Sequence, residues 1–270
     1  MTLPESPSST TPAILDEILS IVRTRGGIDF AGYRRGTLER RLANRLLAVR
    51  EPDAERYLGR LRESEDEVER LIEALTIKVS RFYRNADVFD ALGNTLLPEL
   101  TARFAPDQLR VWSAGCGRGE EAYTLAMLLD EAGGRVDATD IDETALAAAR
   151  AGRYARDAFA ELPPALFRFV RTAPDESHRS VIPDLQRRVR FERHDLSAAD
   201  GPPDGRGYHL VCCRNVLIYF DASLQGRANR VLIESVVPGG LLCLGEAEWL
   251  AESVPHLEPV DRKLKVFRRR

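Results

Sequence analysis

The stretch Val111-Trp112-Ser113-Ala114-Gly115-Cys116-Gly117-Arg118-Gly119-Glu120-Glu121 constrains this chain more than any other. A short apolar strand, Leu109 to Ser113, runs into alternating glycines and then a helical segment, Glu120 to Leu129. Glycine lets the backbone take positive φ and approach a ligand, and the helix that follows presents free amides at its N-terminus. A nucleotide-like cofactor belongs at such a turn. The dinucleotide pattern G-x-G-x-x-G would need glycine at position 120, which is Glu120, and no Gly-Lys-Ser/Thr follows to build a phosphate loop. An acid in the turn repels pyrophosphate but accepts the ammonium of a methionyl group, which points to S-adenosylmethionine. A second strand, Arg135 to Thr139, ends in Asp140, about twenty residues downstream, where a carboxylate can hold the two hydroxyls of a ribose.

Around this turn the sequence alternates strand and helix signals, as a parallel sheet with crossover helices does. Helices are expected at Glu143 to Arg150 and Leu224 to Val236, and strands at Val189 to Phe191, Tyr208 to Cys213, Leu241 to Leu244 and Leu264 to Phe267. Prolines 163, 164, 174 and 183 break the rhythm, so residues 154–187 read as an inserted subdomain. Upstream, residues 13–75 read as a small helical domain, with Ile14, Ile18 and Val22 on one apolar face and Leu38, Leu42 and Leu46 on another. Residues 1–12, rich in Ser, Thr and Pro, read as a disordered tail, and 76–270 as the main domain. At 270 residues, 44% hydrophobic and 30% charged, the chain has the make-up of a folded protein. It carries no apolar run long enough to cross a membrane and no leader-like start, which reads as a cytoplasmic protein without membrane insertion. Cys116, Cys212, Cys213 and Cys243 show no metal-ligand spacing, so buried thiols are expected and no metal.

All but three of the 39 basic residues are Arg, and six of them crowd Arg34 to Arg50. Helical spacing puts Arg41 and Arg45 on one face beside the Leu stripe. Neighbouring acids and the lack of interleaved aromatics argue against nucleic acid.

The chain resembles the CheR-type chemotaxis-receptor methyltransferases. The stretches that carry the likeness are Ala74-Leu75-Thr76, Ser80-Arg81-Phe82-Tyr83-Arg84, the Trp112-to-Glu121 turn, Thr139-Asp140-Ile141-Asp142, Cys213-Arg214-Asn215-Val216-Leu217-Ile218-Tyr219-Phe220 and Gly240 to Glu246. The resemblance implies an α/β fold: a Rossmann-like, class I S-adenosylmethionine-dependent methyltransferase sheet with a small all-α N-terminal domain. It implies methyl transfer to glutamate carboxylates on the cytoplasmic helices of methyl-accepting chemotaxis receptors, giving methyl esters and S-adenosylhomocysteine, by a monomer. A weakly catalytic cofactor-binding adaptor is the alternative. Lys78, Ser80, Arg84, Ala114, Gly115, Glu120, Asp140, Ile141, Asp195, Leu196, Arg214 and Asn215 fall where the family contacts its cofactor. Arg84 and Tyr219 fall beside the transferable methyl, and Arg41 and Arg45 on the helix that docks the receptor. Lys78 stands where the family usually has Asn, and Arg118 where a small hydroxyl residue is usual, so cofactor affinity is expected to depart from the family's. The stretch 154–187 lies where some relatives bind a receptor tether. Those relatives carry an extra glycine that this chain lacks between Arg171 and Arg187, so tether-independent action is expected.

Overall fold

The computed structural model describes residues 11–76, 80–105, 108–130, 133–250 and 256–270, so the expectations for the tail up to residue 10 and for Lys78 lie outside the described residues. The chain divides into two compact units, residues 1–77 with 219–224, and residues 78–218 with 225–270.

The first unit holds four helices among its described residues: α1 (Pro12–Gly26), α2 (Arg35–Val49), α3 (Ala54–Glu63) and α4 (Glu65–Leu75). The Thr11 side chain caps α1, and Gly27 ends it in the left-handed conformation at φ 66°. Leu38, Leu42 and Leu46 form the buried stripe of α2. Ser64 ends α3 and caps α4 in one residue, its N–H donating to Arg60 O and its hydroxyl accepting from Glu67 N. The segment 219–224, assigned from sequence to the main domain, packs with these helices. Arg34 N donates to Tyr219 O at 2.8 Å, Asp221 N to Gly32 O at 2.7 Å, and Tyr33 and Phe220 meet edge to face.

The second unit opens with α5 (Ala86–Ala91), a π-helical turn (Leu92–Leu96) and α6 (Leu97–Arg103). No element was expected here. Pro98 lies inside this helical run, directly after the π-helical turn, where the ladder has already shifted register and Leu97 N donates to Leu92 O. There follow β1 (Arg110–Ala114), α7 (Glu120–Leu128), β2 (Arg135–Asp140), α8 (Glu143–Ala151), β3 (Arg153–Tyr154), β4 (Val170–Thr172), β5 (Arg179–Val181), α9 (Pro183–Gln186), β6 (Val189–Arg193), β7 (Tyr208–Cys213), α10 (Ala222–Ser235), β8 (Val236–Leu244), β9 (Leu257–Asp261) and β10 (Val266–Arg269). Seven strands form one sheet in the order β6-β2-β1-β7-β8-β10-β9. β6, β2, β1, β7 and β8 pair in parallel, and β10 runs antiparallel to both its neighbours. β9, for which no strand was expected, contains Pro259. It is an edge strand, which is where a sheet tolerates proline. Within 154–187 the chain forms a separate antiparallel sheet, β3-β5-β4. The four cysteines are buried free thiols.

The strand order reverses at β1, whose neighbours are β2 on one side and β7 on the other. A crevice at the carboxyl ends of strands is the usual ligand site at such a point. Ser113 pairs with Cys212, so Ala114-Gly115 and Cys213-Arg214 leave the sheet at the same level.

Candidate functional site

The turn after β1 is built on positive φ: Gly115 at 75°, Gly117 at 55° and Gly119 at 92°. At Gly115 a side chain would also collide, since an added Cβ would lie 2.3 Å from Val216 Cγ2. Gly115 N and Cys116 N both donate to Thr139 O, at 2.8 and 2.9 Å, which fastens the turn to the end of β2. Asp140 completes this join: its Oδ2 accepts from Gly117 N at 2.8 Å and its Oδ1 from Asp142 N at 3.0 Å. Its carboxylate thus stands at the end of β2 beside the glycine turn, where the ribose hydroxyls are expected.

Glu120 opens α7 and is 4% exposed, yet its Oε2 has no hydrogen-bond partner among the described residues. Burial raises its pKa, while its own backbone N–H and the Arg118 guanidinium pull it back toward ionisation. Leaving such a group unmet costs about 1–3 kcal/mol, and an ammonium is the partner that would recover it. The residues present therefore fit the methionyl group of S-adenosylmethionine. Arg118 itself is exposed, and its carbonyl accepts from the Tyr154 hydroxyl at 2.7 Å.

Arg214 is buried at the end of β7 and ties the site together. Its Nη1 meets Glu121 Oε2 at 3.3 Å, and its Nη2 donates to Arg84 O at 3.1 Å and to Asn85 Oδ1 at 2.9 Å. Glu121 in turn accepts from Ser113 Oγ at 2.8 Å. Arg84 is flanked by two non-glycine residues at positive φ, Tyr83 at 62° and Asn85 at 63°. Each such residue costs of the order of 1–3 kcal/mol and persists only where neighbours over-determine it. Here Tyr83 N donates to Thr124 Oγ1 at 3.1 Å, and Thr124 donates onward to Glu120 O at 2.7 Å. Asp195 turns Oδ1 toward Ser197, whose N and Oγ donate to it at 2.8 and 2.5 Å, and Leu196 beside it is buried. Ala114 is buried; Ile141 is half-buried, and its carbonyl accepts from Arg193 Nε at 3.3 Å. Ser80 is half-buried.

Two groups went unsingled by sequence reasoning. Glu121 was read only as part of the glycine turn. Glu248, 2% exposed, accepts from Val216 N, Leu217 N and Gly245 N. Its only outward sign is an acid three residues after a strand-ending glycine.

Arg41 and Arg45, expected to dock the receptor, both have partners within the helical unit. Arg45 is held by Glu67 through a two-point fork, Nε to Oε1 and Nη2 to Oε2, both at 2.9 Å. Arg41 is 6% exposed, donates from Nη1 to Leu75 O and lies 4.8 Å from the centroid of the Tyr219 ring. Both point inward because the helices beside α2 supply their partners. The outward face is Arg40, Asn44 and Leu47, with Leu47 exposed.

A family model described as the CheR methyltransferase SAM-binding domain matches residues 78–266, and one described as the CheR all-alpha domain matches 13–76. The chain belongs to the CheR methyltransferase family. S-Adenosylmethionine is its cofactor, and the seven-stranded sheet with a small all-α domain is the class I methyltransferase fold of CheR proteins. A chemotaxis protein methyltransferase of Listeria monocytogenes is 31% identical over 89% of this chain and 89% of its own length. An uncharacterized 104.1 kDa protein of Rhodobacter capsulatus is 37% identical over 88% of this chain, which spans only 26% of that protein. A probable biofilm formation methyltransferase, WspC, of Pseudomonas putida is 35% identical over 84% of this chain and 54% of its own length. No helix is long and apolar enough to cross a membrane, and no cluster of metal-ligating side chains occurs, among the described residues.

Proposed function

We propose that this chain methylates glutamate side chains on the cytoplasmic helices of chemotaxis-type receptors, as a protein-glutamate O-methyltransferase acting in the cytoplasm. The observation that carries the reading is the buried, unmet Glu120 carboxylate beside a glycine turn, in a chain whose full-length relatives are named chemotaxis protein methyltransferases. S-Adenosylmethionine supplies an electrophilic methyl on a sulfonium.

The acceptor needs no general base. A glutamate carboxylate, with a reference pKa of about 4.3, is ionised at neutral pH. What the chain must supply is placement and exclusion of water. In this reading Glu120 takes the methionyl ammonium, Asp140 the ribose hydroxyls, and Asp195, Leu196, Arg214 and Asn215 the rest of the cofactor. Ser80 is assigned to the same cofactor. Arg84, held by the strained segment and by Arg214, orients the acceptor carboxylate, and Tyr219 aligns the methyl. The ester is neutral, so the ion pair with Arg84 ends with transfer, which favours release.

The test is transfer of labelled methyl from the cofactor to receptor cytoplasmic fragments, followed by base treatment. Volatile methanol is expected from a glutamate ester. Stable label would mean another acceptor atom, and cofactor binding with no transfer would mean an adaptor.

A further inference from the structure

Glu248 is a buried carboxylate with no cation paired to it among the described residues. Its charge is met by main-chain amides instead: Oε1 accepts from Val216 N at 2.8 Å and Leu217 N at 2.7 Å, and Oε2 from Gly245 N at 2.6 Å. The Asn215 amide also bonds it. A run of amides converging on one point is a concavity that binds anions. Here the anion is part of the chain.

The amides belong to the segment that leaves β7, and the geometry around them leaves little freedom. Asn215 is in the left-handed region at φ 63°, a conformation that costs a non-glycine residue energy unless something holds it. Gly245 leaves the end of β8 so close that an added Cβ would lie 2.7 Å from Glu248 Oε2 and 2.8 Å from Asn215 N. Val216 in turn packs against Gly115 of the glycine turn. Leu217 opens the 3-10 turn that runs to Tyr219. One carboxylate thus joins the ends of two strands and sets the backbone that carries Arg214 and Asn215.

We propose that Glu248 is a positioning residue for the cofactor, an internal anion that holds Asn215 and the 214–217 segment in the binding conformation. This rests on the assignment of Arg214 and Asn215 to cofactor contact, and not on the identity of the methyl acceptor. If the clamp favours the cofactor, linkage requires the cofactor to favour the clamp by the same factor. A residue that merely stabilises the fold carries no such reciprocity.

The first measurement therefore uses the unaltered protein. Hydrogen exchange at Val216, Leu217 and Gly245 is expected to slow about tenfold or more on saturation with S-adenosylhomocysteine, within the usual range of coupling between linked sites. Unchanged exchange at these amides would overturn the proposal. The second uses Glu248→Gln, which keeps the shape but turns an N–H donor toward an amide. It is expected to weaken S-adenosylhomocysteine binding about tenfold in calorimetry, with KM for a receptor fragment at saturating cofactor little changed. Wild-type affinity in the folded variant would overturn it. Asn215→Ala separates the two layers: weaker binding there, with no effect of Glu248→Gln, removes the clamp alone, whereas wild-type affinity in both variants removes the cofactor assignment and the clamp with it.

Discussion

Two buried carboxylates, Glu67 in α4 and Glu120 at the start of α7, have nearly the same exposure, 2% and 4%, and opposite surroundings. Glu67 is saturated: Arg45 grips it from two nitrogens, Tyr57 Oη donates to it at 2.7 Å, and Arg60 lies 3.3 Å away. Glu120 leaves an oxygen without a partner among the described residues. A buried charge that the chain itself satisfies belongs to the fold, and one that the chain leaves unmet is directed at a ligand. The comparison would break at its first member if Glu67→Ala were mild. Removing one partner from a buried pair strands the other charge, so a loss of about 3–5 kcal/mol is expected, read by denaturant unfolding. Affinity of the folded protein for S-adenosylhomocysteine is expected to stay the same.

Backbone strain sharpens the same contrast. Tyr83, Asn85 and Asn215, in the left-handed region, belong to the segments that carry Arg84 and Arg214. Arg84→Lys keeps the charge and loses the planar fork. Single-turnover transfer to receptor fragments at saturating cofactor is expected to fall about 10- to 1,000-fold, the range that misplacing reacting groups costs, with Tyr219→Phe milder. Near-wild-type transfer in Arg84→Lys would make Arg84 a structural link, and the acceptor would then be held elsewhere.

The open carboxylate predicts a trade between binding and stability. Glu120 has a raised pKa, so it protonates at a higher pH than an ordinary carboxylate, and its burial penalty is present above that pKa and relieved as pH falls through it. Cofactor affinity is therefore expected to weaken, as pH is lowered, sooner than an ordinary carboxylate would dictate, while Glu120 contributes a gain in cofactor-free stability over the same window. Glu120→Gln is expected to lose about tenfold or more in S-adenosylhomocysteine affinity at neutral pH and to flatten that pH dependence. The cofactor-free variant is expected to be more stable by about 1 kcal/mol in denaturant melts. Loss of both affinity and stability would place Glu120 with Glu67, among the groups that hold the fold.

What could be read in the sequence follows from how far each group's partners lie along it. The glycine turn, Asp140 and the Leu38-Leu42-Leu46 stripe were legible because φ preference and helical period are local properties. Glu248 was not, since the Val216 and Leu217 amides it meets lie 32 and 31 residues upstream, and main-chain donors carry no residue type. Arg41 and Arg45 lie on the expected helix, and the partners that hold them could not be read from it. Periodicity marks a face next to the apolar stripe, but Glu67 and the Leu75 carbonyl that turn those side chains inward come from α4. The helical run from Ala86 to Arg103 and the edge strand β9 drew no expectation; Pro98 follows a π-helical turn and Pro259 lies on an edge strand, both irregular places that a regular period does not mark.

With Arg41 and Arg45 internal, any electrostatic docking by α2 must use the side chains that face out. Arg40, Asn44 and Leu47 follow one another at four and three residues, so they share a face, and Arg40 is exposed without an ion pair among the described residues. Arg40→Glu reverses a charge there without touching Glu67 or Leu75. An exposed charge acts at long range and is screened over about 8–10 Å at ordinary salt, so receptor methylation is expected to fall only a few-fold at low ionic strength and to recover as salt rises. Cofactor affinity and unfolding should match the wild type. Arg45→Glu, by contrast, places a second acid against Glu67, and its loss should persist at high salt and appear in stability. Equal, salt-independent losses in both variants would mean that the outer face of α2 does not steer the substrate, and that the arginines of this helix serve its packing alone.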